Sequence, residues 1–161
     1  MARVYTKIGD IFSAEIDDTS KKYLQYVARD LTQLNSDVIR VFEEIYPIDF
    51  TPDLSNVIKG KVEFYAHCVI KWGVKQKYWE KVGSNSEIGK VEILFKSSGD
   101  EGNPDIKVSH DWWIWKINEE QKRVGKLLGN NQKAEIGSVI TADSIIHRMR
   151  TGEYDFVYPS Y

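Results

Sequence analysis

The chain has 161 residues, 42% of them hydrophobic and 29% charged, with a net charge of −2. That length suits one domain, which on folding removes roughly 70% of the surface an unfolded chain exposes. The slightly acidic balance excludes a global electrostatic case for nucleic acid, no run approaches the ~20 apolar residues that span a bilayer, and a single cysteine, Cys68, makes no intramolecular disulfide.

Met1 to Ser13 carry two basic residues and no continuous apolar run, so the expectation is a soluble, cytoplasmic protein. Three stretches then alternate or nearly alternate in polarity: Gly9 to Ile16, Tyr23 to Leu31 and Asp37 to Tyr46. Asp, Ser and Asn separate them, which predicts three antiparallel strands opening a small sheet or barrel. Next, Thr51-Pro52-Asp53 precedes a short apolar run ended by Gly60, the asymmetry of a short helix near 51–59.

Val62, Phe64, Ala66, Cys68, Ile70 and Trp72 fall on one face of a following strand, with Lys61, Glu63, Tyr65, His67 and Lys71 on the other. The expectation is one core face and one wet face. Val91 to Phe95 reads as another strand, and Ser97 to Pro104 as a turn or loop. Trp112 to Ile117 and Lys122 to Leu127 flank Asn118 to Gln121, as in a hairpin with a four-residue loop. Thr141 then precedes a helix near 142–151 whose Ala142, Ile145, Ile146 and Met149 share a face, with Arg148 and Arg150 in its last turn and Gly152 beyond. The predicted class is α+β, mainly β: a single domain over 1–161 with a curled antiparallel sheet or SH3-like small barrel.

Reactive groups do not assemble in this pattern. His67-Cys68 and His110-Asp111 are strand neighbours that point to opposite faces, so neither pair shares a proton. Cys68 reads as buried, His67 as exposed, and His147 as a helix-end or solvent residue. Three scattered histidines and one cysteine offer no zinc spacing, and Asp17-Asp18 and Asp100-Glu101 lack a calcium loop. A divalent-metal nuclease using Asp105, Lys107 and Asp53 is the sharpest enzymatic alternative, resting on a short D-x-K pattern. A nucleic-acid-binding barrel would draw on Lys75, Lys77, Lys81 and Arg123. Five tryptophans and nine tyrosines allow an aromatic cage, although such rings more often fill β cores.

Carboxylates cluster more suggestively. Asp17 and Asp18 follow the first strand, Glu43 and Glu44 close the third, and Asp49 lies beyond them, with Tyr46 and Phe50 between and beside. If strand end, turn and connection converge, they form an acidic rim around aromatic anchors, suited to a basic protein partner. The competing reading is a solvated charged face.

Several landmarks carry a resemblance. Lys7-Ile8-Gly9-Asp10-Ile11-Phe12, Tyr26-Val27-Ala28-Arg29, Val38 to Phe42 and Tyr78-Trp79-Glu80-Lys81-Val82-Gly83 resemble the immunity protein twenty-six family of bacterial polymorphic toxin systems. The tryptophan strand, Arg123-Val124-Gly125, Glu135 to Ile140 and Arg150-Thr151-Gly152 are similar too. The resemblance implies a cytoplasmic protein that neutralises a cognate toxin by stoichiometric binding, without a catalytic residue; no cofactor or metal is expected from the residues. It assigns neither the toxin nor an oligomeric state.

Overall fold

Among the described residues, 3–161, the computed structural model has ten strands in two sheets and three α-helices. Met1 and Ala2, at the head of the stretch read for an export signal, lie outside the described residues. The first sheet is built from β1 (Asp10–Glu15), β2 (Ser20–Asp30), β3 (Ser36–Phe42), β4 (Tyr46–Pro47), β5 (Val62–Cys68) and β6 (Glu80–Ser84). Its path is β5-β3-β2-β1-β6, every pair antiparallel, with β4 added beside the start of β2. Register shifts at Ile11/Phe12, Tyr26/Ala28 and Val41/Phe42 curl it, because a bulged strand bends and twists more strongly.

The second sheet follows: β7 (Leu94–Ser98), β8 (Trp112–Lys116), β9 (Lys122–Gly125) and β10 (Glu135–Ile136), in the order β10-β7-β8-β9. β8 and β9 are the predicted tryptophan hairpin, and only the short β10–β7 pair is parallel. The fold is thus mainly β with antiparallel sheets and a closing helix, α3 (Ala142–Thr151), where the spacing of apolar residues placed it. Gly152 ends α3 at φ 89°, a left-handed conformation that glycine adopts without a Cβ penalty. None of these helices is long and apolar enough to cross a membrane.

Both faces of the first sheet are covered. On one, Phe12, Leu24, Ile39, Val41, Phe64 and Ala66 meet Ile145, Ile146 and Met149 of α3. On the other, α1 (Leu54–Val57) brings Val57 over Ile11, Tyr23 and Phe42, while Phe95 and Trp115 of the second sheet cover Val27 and Val38. Alternation therefore assigns faces correctly here without assigning solvent. The expected wet face of β5 carries His67 at 0% exposure, stacked edge-on against Phe95 at 4.3 Å.

Several boundaries differ from expectation. The third strand stops at Phe42 rather than Tyr46, β7 runs from Leu94 to Ser98 rather than over Val91 to Phe95 and takes in Ser97 and Ser98 of the expected loop, and β9 ends at Gly125 rather than Leu127. The first helix begins at Leu54, because Asp53, not Thr51, is its cap and accepts the Ser55 N–H at 3.0 Å. β5 stops at Cys68, and Ile70 and Trp72 enter a short helix, α2 (Ile70–Lys75). The Asp37 carboxylate draws the chain aside by accepting the Ile70 N–H at 3.0 Å. Ile70 stays in the core, whereas Trp72 turns out to 58% exposure.

Candidate functional site

The β1–β2 turn and the β4 segment meet along a short antiparallel pairing. Ser20 lies opposite Pro47 and Lys21 opposite Tyr46, and Ile48 N–H donates to Thr19 C=O at 3.0 Å. One residue beyond that bond on either strand come Asp18 and Asp49, both exposed. Asp17 holds the turn: its carboxylate accepts from Thr19 N–H at 2.9 Å and Thr19 Oγ1 at 3.1 Å. The Thr19 N–H foremost keeps it below the usual carboxylate range.

Aromatic rings stand inside this lip. Tyr46 packs edge-on against Tyr23, centroids 5.3 Å apart, and stacks with Phe50 at 6.2 Å and 8° between planes. Phe50 is 51% exposed, a large apolar ring offered to solvent among carboxylates. Tyr46 donates its hydroxyl to Glu44 at 3.0 Å, and desolvation together with that carboxylate lifts its pKa to about 12. Glu43 is drawn instead to Lys61, 3.4 Å away, in an exposed pair of little energetic worth. Lys21 moderates the charge but is engaged, donating to Ile48 C=O at 3.0 Å and lying over the Tyr23 ring. Beside the rim opens a groove of about 580 Å³, lined by Glu15, Lys21, Ile48, Tyr78 and Glu80 among others. Asp17, Asp18, Tyr46, Asp49 and Phe50 thus share one contiguous surface, with Glu44 at its edge and Glu43 turned toward Lys61.

The residues of the nuclease alternative are not gathered. Asp53 spends its carboxylate on Ser55, at 3.0 Å to N–H and 2.8 Å to the hydroxyl. Asp105 and Lys107 lie exposed in the loop before β8. No three His, Cys, Asp or Glu residues converge as metal ligands among the described residues. The four cations of the nucleic-acid alternative likewise do not form one groove. Lys81 pairs with buried Asp10 at 3.1 Å, whereas Arg123 belongs to the other sheet and pairs with Asp111 at 2.7 Å.

Sequence reasoning missed the most concentrated polar cluster. Asp30, 0% exposed, accepts from His67 Nε2 and Trp115 Nε1 at 2.9 Å each, from the Asn118 N–H at 3.0 Å, and from Thr32. Burial alone would raise its pKa, but this ring of donors holds it down at about 2. Burial conversely pushes His67 below its ordinary value, so the neutral ring donates through Nε2 while Nδ1 stays without a partner. The pair looks like a base and its orienting acid, yet it is sealed between the sheets and fastens one to the other. Cys68 is buried as expected, and desolvation lifts its thiol well above the normal range, making it unreactive. An enclosed cation, Arg40, donates to Gln25 Oε1 from Nε at 2.9 Å and Nη2 at 2.7 Å, and to Glu87 C=O at 3.1 Å, pinning the segment after β6. Only the pairing of distant strands exposes these roles; the local pattern around Asp30 and Arg40 carries no signal for them.

No family model, no curated protein and no solved structure matches this chain.

Proposed function

We propose that this protein works by binding, as an immunity-type inhibitor that forms a stoichiometric complex with a basic bacterial toxin in the cytoplasm. The observation that carries the reading is the convergence of Asp17, Asp18 and Asp49 around the Tyr46–Phe50 stack, whose Phe50 ring is exposed. Unpaired carboxylates speed encounter with a basic partner, and an aromatic anchor seated in that partner slows release. The adjoining groove offers room for a side chain of the partner. Resemblance in the strand and loop motifs supports the same class of activity, and occlusion of the toxin's substrate groove is the mechanism such a surface would serve.

Tagged protein recovered from its host with bound partners identifies the toxin. With that partner in hand, Asp18→Lys/Asp49→Lys is the decisive variant, because both side chains are exposed and neither ion-pairs among the described residues. Stopped-flow association at low salt should slow by about tenfold or more, with dissociation nearly unchanged. An unaltered association rate rejects this surface.

A further inference from the structure

The segment after α3 runs across the outer side of the second sheet and lays down a line of rings. Tyr154 stacks on Phe156 with centroids 4.9 Å apart, Phe156 meets Tyr158 edge-on at 6.3 Å, and Tyr158 lies 6.0 Å from Trp112. Cations sit at both ends of this line. Arg148 stands 4.1 Å from the Phe64 centroid and 4.8 Å from that of Tyr154, and it is neutralised by Glu135 at 3.1 Å. Lys96 lies 5.6 Å from the Trp112 ring and 5.1 Å from that of Tyr161. The ion pairs among the described residues leave Lys96 without a carboxylate.

Rings and cations border one concavity of about 530 Å³, open between β10, the end of α3 and the aromatic segment. Its size falls in the range of small-ligand sites, roughly 300–1,000 Å³. Burial lowers the pKa of Lys96, with Glu135 acting against that shift, so its charge is held in partly desolvated surroundings where an anion is bound more strongly than in water. Two further groups lack partners. The Tyr154 hydroxyl neighbours Arg148, and the Tyr158 hydroxyl neighbours Ser98 and Ser138, but neither meets hydrogen-bond geometry. At the end nearest α3, beside the Arg148–Glu135 pair, Glu153 adds a carboxylate that can accept N–H groups, whereas Lys96 offers a cation without an ion pair at the other.

A ligand that satisfies this arrangement has a flat ring for the aromatic wall, an anion for Lys96 and N–H donors for the carboxylate end. We propose that the cleft binds a nucleotide unit, its base against the Phe156 face that Tyr154 does not cover and its phosphate at Lys96, either free or within a single strand. Stacking of bases on aromatic side chains beside a cation is a recurrent and sequence-tolerant mode of recognition. This site is separate from the acidic rim, and its success or failure leaves the toxin-binding reading untouched.

Isothermal titration of the full chain with AMP, inorganic phosphate and an eight-nucleotide DNA strand tests the proposal. AMP or the strand should bind saturably at one site, and Lys96→Met and Phe156→Leu should each weaken it by about tenfold. Binding of AMP assigns a free nucleotide, and binding of the strand alone assigns a nucleotide within a polymer. Thermal unfolding of Lys96→Met at the wild-type midpoint shows that its loss of binding is not a loss of fold. Absence of binding by both AMP and the strand overturns the proposal, as does binding that survives Lys96→Met, or phosphate binding as tightly as AMP.

Discussion

Asp30 shows how one side chain can hold two layers together. Five donor groups, from β5, β8 and the two adjoining turns, converge on its carboxylate, and the buried His67 and Trp115 donors would be left unsatisfied if the acceptor were lost. Asp30→Ala should therefore cost about 3–5 kcal/mol, and at roughly 2–4 °C per kcal/mol for a chain of this size the thermal midpoint falls by about 6–20 °C. A loss below about 1 kcal/mol in urea titrations would mean that the cluster contributes little. The pH dependence follows from the same geometry. An unfolded His67 takes up a proton near pH 6.5 while the folded one resists it, so stability falls as pH drops below about 6.5. Asp30 adds a second loss in stronger acid, between its ordinary 3.8 and about 2. In His67→Gln the slope of stability between pH 7 and 5 should flatten, and an unchanged slope would move its origin elsewhere. None of this was legible in the sequence, where His67 reads as an exposed strand residue. Alternation distinguishes the two faces of β5 but contains nothing about the second sheet that covers the polar one.

At the level of elements, the boundary between β5 and α2 marks the limit of pattern reading. Val62 to Trp72 keeps its apolar period of two on one face, with Val69 the one aliphatic residue on the other, and a strand that long satisfies the alternation. Six residues of helix are too few to show a period of 3.6, so the turn depends on tertiary partners: Asp37 at the start of α2 and Trp79 beneath it. Gly73 is the contact that makes the packing possible, since a Cβ there would collide with the Trp79 indole at Cε2 and Cζ2. Trp79 is 3% exposed and donates its Nε1–H to Ile70 C=O at 3.2 Å. Gly73→Ala must push the ring or α2 outward, because the obstacle is a rigid indole rather than the end of a flexible chain. The expected cost is about 1–3 kcal/mol, with tryptophan emission shifted to the red as the indole gains water. Unchanged emission and stability would show that α2 can move without cost. By contrast, α3 and the β8–β9 hairpin were legible because each carries its own punctuation, Thr141 and Gly152 for one and Asn118 to Gln121 for the other.

At the scale of the whole molecule, the two sheets were individually foreshadowed but their union was not, since it rests on contacts far apart in sequence. Trp115 reaches Asp30, Gln33 Nε2 donates to Gly137 C=O at 2.6 Å, and Arg150 Nε donates to Ile16 C=O at 2.7 Å. The acidic rim was legible for a related reason: its residues flank strand ends whose antiparallel order was already clear, so β4 had only to close beside β2. Because α3 packs on one face of the first sheet and Phe95 and Trp115 on the other, the molecule should unfold as one unit. Ile145, 0% exposed and in contact with the core across α3, tests this. Ile145→Ala removes buried methylenes and leaves a cavity, a loss of about 2–5 kcal/mol. Tryptophan fluorescence samples Trp112, Trp113 and Trp115 in the second sheet together with Trp72 and Trp79 beside the first, while far-ultraviolet dichroism samples the backbone as a whole. If the sheets are coupled, both signals move to the same lower urea midpoint in the variant. If the second sheet were independent, the fluorescence transition would split, the part from Trp112, Trp113 and Trp115 holding its original midpoint while dichroism shifted, and the interface built on Asp30, Phe95 and Trp115 could not be what joins the layers.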